Sequence, residues 1–274
     1  MPCYNQGVYL REALDSIKNQ SFQEWECIII DDGSTDKNTR RIGEEFTNKD
    51  PRFSYFFQVN RGLPVARNEG IHRAKGEYFQ FLDADDIIKP NKFSDQLEVF
   101  EANPGIDMIY GEYLCFYHHN PSTTWTFSQV TLSANAFLDF VIKWERGLSI
   151  PIHCWLYKRE CFEKWGGFDE SFIEGKEDWD LHLKFTLNGA KLIFHPGVSA
   201  LYRRQHLKHT MATDPIPNKR ARKKLFKKYI FLKNVNVRYK ILLIHRYLLE
   251  LNSYRWFYKK FYFIFKLLKK SIPS

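Results

Sequence analysis

The chain has 274 residues, 44% hydrophobic and 17% aromatic, long and apolar enough to bury a full core, which excludes an intrinsically disordered chain. Its five cysteines (Cys3, Cys27, Cys115, Cys154, Cys161) are odd in number and form no C-x-x-C pair, so neither a disulfide framework nor a zinc knuckle is indicated and a reducing, cytosolic location is expected. The net charge of +9 divides unevenly: residues 215–274 carry 17 Lys and Arg against the single acid Glu250, a charge of +16, while residues 1–214 carry 24 basic and 31 acidic residues, a charge of −7.

In chain order, Val8 to Asn19 has helical periodicity through Leu10, Leu14 and Ile17, and Trp25 to Ile30 follows as a strand. Phe53 to Gln58 is the next strand, Leu63 to Arg73 a helix, and Tyr78 to Leu82 another strand. Pro90 opens a helix through Phe93, Leu97 and Phe100, closed by Asn103-Pro104-Gly105, and Asp107 to Tyr110 is a short strand. Strands and helices alternating at this spacing predict α/β architecture with a doubly wound, mostly parallel sheet. After Gly111 the regularity weakens. Breaks at Asn120-Pro121-Ser122 and Ile150-Pro151 predict long loops and one helix, Ala134 to Trp144, lying over the sheet, where acceptor specificity is expected. A turn at Gly166-Gly167-Phe168-Asp169-Glu170 leads to a helix from Glu177 to Asn188, with Gly189 at its C-terminal cap. No signal-peptide pattern is read, nor any apolar run near the roughly 18 residues that span a bilayer.

Three acidic clusters punctuate this pattern: Asp31-Asp32-Gly33-Ser34-Thr35-Asp36, Asp83-Ala84-Asp85-Asp86 and Glu177-Asp178-Trp179-Asp180. The first two follow short apolar runs that read as buried strands, so their carboxylates are delivered to the strand ends where open α/β sheets bind ligands. Carboxylates converging there repel one another unless a cation or a donor-rich ligand joins them, which points to a hard divalent metal carrying a phosphorylated substrate.

The ordered series Pro2-Cys3-Tyr4-Asn5, Ile30 to Asp36, Ala66-Arg67-Asn68-Glu69-Gly70-Ile71, Gly76-Glu77-Tyr78, Leu82 to Asp86, Gly166 to Glu170 and Glu177 to Asp180 resembles that of family 2 glycosyltransferases with the GT-A fold, over roughly residues 1–205. The resemblance implies a nucleotide-sugar-binding part at 1–112 and an acceptor-side and catalytic part at 113–214, while the charge split marks a basic aromatic helical tail at 215–274 that departs from the family's shared region. It implies an inverting enzyme that moves a sugar from a nucleoside-diphosphate sugar, UDP-linked, to a hydroxyl of a polysaccharide, lipid-linked oligosaccharide or glycolipid. Asp178 would be the catalytic base, its pKa raised by Glu177 and Asp180. Pro2, Tyr4, Asn5, Asp32, Arg67 and Asp83 would hold the nucleotide sugar, with Tyr4 stacking on the base and Asp32 accepting the uracil imide N–H. Asp85 would hold Mg2+ or Mn2+ on the diphosphate. His206 would either join the metal or diphosphate or be a solvated loop histidine. Asp31 could equally be a structural cap, Asp86 a helix N-cap or a support for its neighbours, and Asn68 a source of loop hydrogen bonds. His118, His119 and His153 are expected in loop or core. In the family's pattern the Pro-x-Tyr-Asn segment ends a buried first strand, so roughly five strand residues are expected ahead of Pro2, with Met1 an internal methionine.

In the tail, Phe257, Phe261, Ile264, Phe265 and Leu268 recur at helical spacing opposite Lys259, Lys266, Lys269 and Lys270. Such a helix would either lie in an anionic membrane surface, making the protein peripheral on the inner face of the cell membrane, or pack on the catalytic domain. Basic residues interleaved with apolar anchors and no binding module argue against nucleic acid. Two other function classes remain at this stage. A sugar nucleotidyltransferase would need a glycine-rich loop that Tyr4-Asn5-Gln6-Gly7 does not supply, and a catalytically inactive nucleotide-sugar binder would not need Asp83, Asp85 and Asp178.

Overall fold

The computed structural model describes residues 1–126, 130–204 and 215–250. Its N-terminal layer is a parallel three-stranded sheet of β1 (Pro2–Cys3), β2 (Cys27–Asp31) and β3 (Phe53–Phe57), in that order. Helix α1 (Leu10–Lys18) buries Leu10, Ala13, Leu14 and Ile17, the i, i+3, i+4, i+7 stripe of its sequence. Helix α2 (Lys37–Lys49) begins at Asp36, whose carboxylate accepts from the Thr39 amide at 2.8 Å, and closes on the sheet where Gly43 meets the Tyr55 ring. Helix α3 (Leu63–Arg73) starts at Gly62 with φ of +93°, has Pro64 in its first turn, and buries Val65, Ala66 and Arg67.

The second sheet is mixed. It contains β4 (Tyr78–Phe79), β5 (Ile87–Ile88), β6 (Met108–Tyr117), β7 (Asn120–Trp125), β8 (Trp155–Lys158) and β9 (Leu192–Arg204), in the order β4-β8-β6-β9-β5 with β7 on β6. Only β6 and β9 run parallel, and their register shifts around Gly111 and Glu112. Around it lie α4 (Lys92–Ala102), α5 (Ala136–Ile142), α6 (Arg159–Trp165) and α7 (Glu177–Leu187). Asp86 does not cap α4, whose N-cap position is Asn91. The expected strand at 78–82 is ordered as strand only to Phe79, so the Asp83–Asp86 cluster stands on a short irregular segment rather than at a strand end.

The basic segment is not a separate object over its described part. Helices α8 (Pro215–Phe231) and α9 (Val237–Leu249) pack on the body, and Leu225, Phe226, Tyr229, Leu242 and Leu243 join the same apolar core as α5 and α7. The Phe257 to Leu268 stripe and His206 lie outside the described residues. Among the described residues, no helix is long and apolar enough to cross a membrane.

Candidate active site

Arg67 is the centre of the site. Its side chain is buried, and its two terminal nitrogens donate to different carboxylates, Nη2 to Asp83 at 2.8 Å and Nη1 to Glu177 at 2.7 Å. One guanidinium thus joins the second acidic cluster to the third, which are far apart in sequence. Burial alone would pull this guanidinium down, but Asp83 and Glu177 outweigh it and hold it above its ordinary value. In return, burial opposes ionisation of Asp83, yet Arg67 holds its pKa below the usual carboxylate value. Among the described residues, Arg67 Nε has no hydrogen-bond partner.

Asp178 follows Glu177 in the first turn of α7, and its Oδ1 accepts from the Trp179 amide at 2.7 Å. Its pKa is raised as expected, but for another reason. Burial is the main cause, opposed by Arg67 and Lys176. Asp180 is not among the main causes and is itself paired with Lys228 of α8 at 2.7 Å.

Asp85 has its pKa pushed up to about 7 by burial, and next by the neighbouring charges of Asp86 and Asp83. Asp86 supports this segment from below, accepting from the Arg203 amide at 2.7 Å and pairing with His153 Nδ1 at 2.8 Å. The Arg203 side chain adds a bond from Nε to the Asp85 carbonyl at 2.7 Å and an ion pair with Glu12 of α1 at 2.6 Å. Chain order hides both supports, since His153 and Arg203 come from β8's approach and from β9, and the only local signal was the buried character of the surrounding residues. Of the two places expected for it, loop or core, His153 takes the core, fully buried and paired.

The first cluster divides its labour. Asp31 accepts from the Ser34 amide at 2.8 Å and from the Tyr55 hydroxyl, a structural role. Asp32 accepts from Gln58 Nε2 at 2.7 Å and from the Arg61 and Gly62 amides at 2.9 and 2.8 Å, so it shapes the loop ahead of α3. Asn5, at φ of +54°, accepts from the Thr35 and Asp36 amides at 2.7 and 3.0 Å and clamps the adjoining loop. Pro2 is buried in β1, while Tyr4 is 49% exposed beside Asn5, free to present its ring. Asn68 makes the loop bonds expected of it, donating to the Phe168 carbonyl at 2.9 Å and accepting from the Phe168 amide at 2.8 Å. A Cβ on Gly167 would sit 2.3 Å from Asn68 Oδ1, which explains glycine in that turn.

The donor set is hard oxygen. Among the described residues, no group of three or more His, Cys, Asp or Glu side chains could hold an ion alone. Asp85, crowded by two carboxylates, fits an ion that takes one or two protein carboxylates and completes its shell with substrate phosphates and water, the habit of Mg2+ and of similar hard cations.

A family model described as glycosyl transferase family 2 matches residues 1–166. An uncharacterized glycosyltransferase of Rickettsia typhi is 32% identical over 193 residues, covering 68% of this chain and 57% of that protein. One from Haemophilus influenzae is 43% identical over 114 residues, 41% of this chain and 45% of that protein. The chain therefore spans about half the length of these curated relatives. Among solved structures, S. aureus TarS 1–349 in complex with UDP-GlcNAc superposes with a TM-score of 0.67 at 18% identity, covering 92% of this chain and 70% of that one. The mannosyltransferase PcManGT from Pyrobaculum calidifontis, in complex with GDP-Man and Mn2+, gives 0.63 at 18% identity, covering 100% of this chain and 74% of that one. Both likenesses are in fold.

Proposed function

The chain belongs to glycosyl transferase family 2 and has the GT-A fold, and from that premise we propose that it is an inverting transferase moving a sugar from a UDP-sugar to a hydroxyl of a cell-surface glycan or lipid-linked glycan. The observation that carries this reading is the Arg67 bridge, which gathers Asp83 and the Glu177-Asp178 turn around one buried guanidinium. Residues 1–112 hold the donor, 113–214 the acceptor side, and 215–274 bring the enzyme to the inner face of the cell membrane.

Asp178 takes the proton from the acceptor hydroxyl as its oxygen bonds to the anomeric carbon and the bond from that carbon to the diphosphate breaks, a single displacement with no enzyme nucleophile. Its raised pKa suits that task near neutral pH. Tyr4 stacks on the base, Asp32 and Asn5 hold the loops around it, and Asp83 and Arg67 orient the donor. Asp85, with His206, would hold Mg2+ or Mn2+, which when bound offsets the charge gathering on the departing diphosphate. TarS and PcManGT, similar in fold, are complexes with UDP-GlcNAc and with GDP-Man and Mn2+, which supports a nucleotide-sugar donor and a divalent ion here.

Asp178→Asn tests the assignment. It keeps size and donor binding but cannot take a proton, so kcat should fall about 100- to 10,000-fold. Asp85→Ala should instead weaken the thermal shift that a UDP-sugar gives with Mn2+. Wild-type kcat in Asp178→Asn would remove that residue from the mechanism.

A further inference from the structure

We propose that the basic helices α8 and α9 are a built part of the catalytic apparatus, and that Lys228 is a positioning residue for Asp178. This rests on the reading of Asp178 as the base.

Helix α7 starts without the usual support. Its N-terminal cap is Lys176 in a left-handed conformation, which makes no side-chain capping bond, and its first turn carries three acids, Glu177, Asp178 and Asp180. One side of that turn is tied to the donor side of the site through Glu177 and Arg67. The other side is tied to the tail. Lys228 Nζ lies 2.7 Å from Asp180 Oδ1 and 2.8 Å from Asp169 Oδ2, so one ammonium locks the first turn of α7 to the Gly166–Glu170 turn that Asn68 clamps. Tyr229 Oη donates to the Asp180 carbonyl at 2.9 Å.

The residue between base and clamp is held as firmly. Trp179 is fully buried, with its ring 6.0 Å from Trp144, 5.4 Å from Phe226 of α8, and 5.4 Å from the Arg246 guanidinium of α9. Arg246 also donates to the carbonyls of Val141, Ile142 and Trp144, closing the open end of α5 against the same site. Arg222 reaches Glu145, which pairs with Lys176 at 2.5 Å. The turn bearing Asp178 is therefore fixed through Asp180, Trp179 and Lys176 by cations of the tail. The Asp180 carboxylate is buried, and without Lys228 it would have to be neutralised or turn toward water, rotating the turn that aims Asp178.

A double-mutant cycle tests this, with UDP release from a panel of UDP-sugars in the presence of Mn2+ as the assay and water or glycan as acceptor. Lys228→Met should lower kcat about 10- to 100-fold with the donor KM changed less than about twofold, and Lys228→Arg should restore most of the rate. In the Asp178→Asn background, Lys228→Met should cost almost nothing further, because Lys228 acts through that carboxylate. Equal losses in both backgrounds, or an unchanged kcat in folded Lys228→Met, would overturn the inference while leaving Asp178 as base. Full activity of Asp178→Asn would instead overturn the functional reading. If Lys228→Met does not fold, Asp169→Asn, which removes one of the two carboxylates, carries the same cycle with a smaller expected loss and the same overturning result.

Discussion

Arg67 shows how much of a site can hang on one side chain. It is the only cation hydrogen-bonded to Asp83 or Glu177 among the described residues, and both carboxylates stay near each other because it lies between them. Arg67→Met should therefore cost up to about 3–5 kcal/mol in denaturant unfolding, the upper end being reduced because Asp83 keeps partial access to water. Lysine cannot span two carboxylates with one ammonium, so Arg67→Lys should recover only part of the loss. Titration calorimetry with UDP and Mn2+ should show weak or absent binding in both variants, and a wild-type affinity would show that the bridge is structural only. Motif order was enough to single out Arg67, Asp83, Asp85 and Asp178, because each lies in a local pattern. It could not show that Asp32 and Asn5 spend their bonds on loops, nor that His153 and Arg203 brace Asp86, because those partnerships join residues distant in sequence.

Among the elements, α1, α3 and α7 were legible because their apolar periodicity or their turn chemistry is strong. Helix α2 was hidden by its charge, with Ile42 and Phe46 alone anchoring a run of Lys, Arg and Glu. Strand β9 was hidden because Pro196 and Gly197 interrupt it, and it survives them through the register shifts against β6. Helix α4 holds a local conflict that sequence periodicity passes over: Lys92 is buried at 2% exposure, bonded to Gln96 Oε1, with the Trp155 carbonyl at 3.4 Å and no anionic partner among the described residues. Burial pushes its pKa down from 10.5 to about 7. The folded state therefore prefers the neutral amine while the unfolded chain keeps its proton up to 10.5, so stability rises with pH across that window. Lys92→Met should raise stability by roughly 1–4 kcal/mol below pH 7, with the gain shrinking to nothing as the pH approaches 10.5. Unfolding curves at several pH values check this, and a gain independent of pH would mean that packing, not charge, is responsible.

At the scale of the whole molecule, part of the charge split between body and tail is used inside the fold. Lys228 pairs with Asp180 and Arg222 with Glu145 of the body, Arg222 also with the tail's own Glu250, and Arg246 caps carbonyls of the body, so part of the excess charge is structural. Composition registered the imbalance but could not say which cations face the body, because that depends on where α8 and α9 dock. A form ending at residue 214 would lose Leu225, Phe226, Tyr229, Leu242 and Leu243 from the core and leave Asp180 buried without its cation. Against a total stability of about 5–15 kcal/mol, such a form should be unfolded or aggregated. A form ending at residue 250 keeps both helices and is the proper comparison for the membrane proposal. If Phe257, Phe261, Ile264, Phe265 and Leu268, with Lys259, Lys266, Lys269 and Lys270, form the membrane-facing stripe that their spacing suggests, then the form ending at 250 should sediment with anionic vesicles far less than the full chain. The difference should shrink as salt rises through the range where the Debye length falls from about 10 Å to about 3 Å, since the lysines supply the electrostatic part of the attraction. Equal sedimentation of the two forms at low salt would move any membrane contact to the exposed basic surface of α8 and α9.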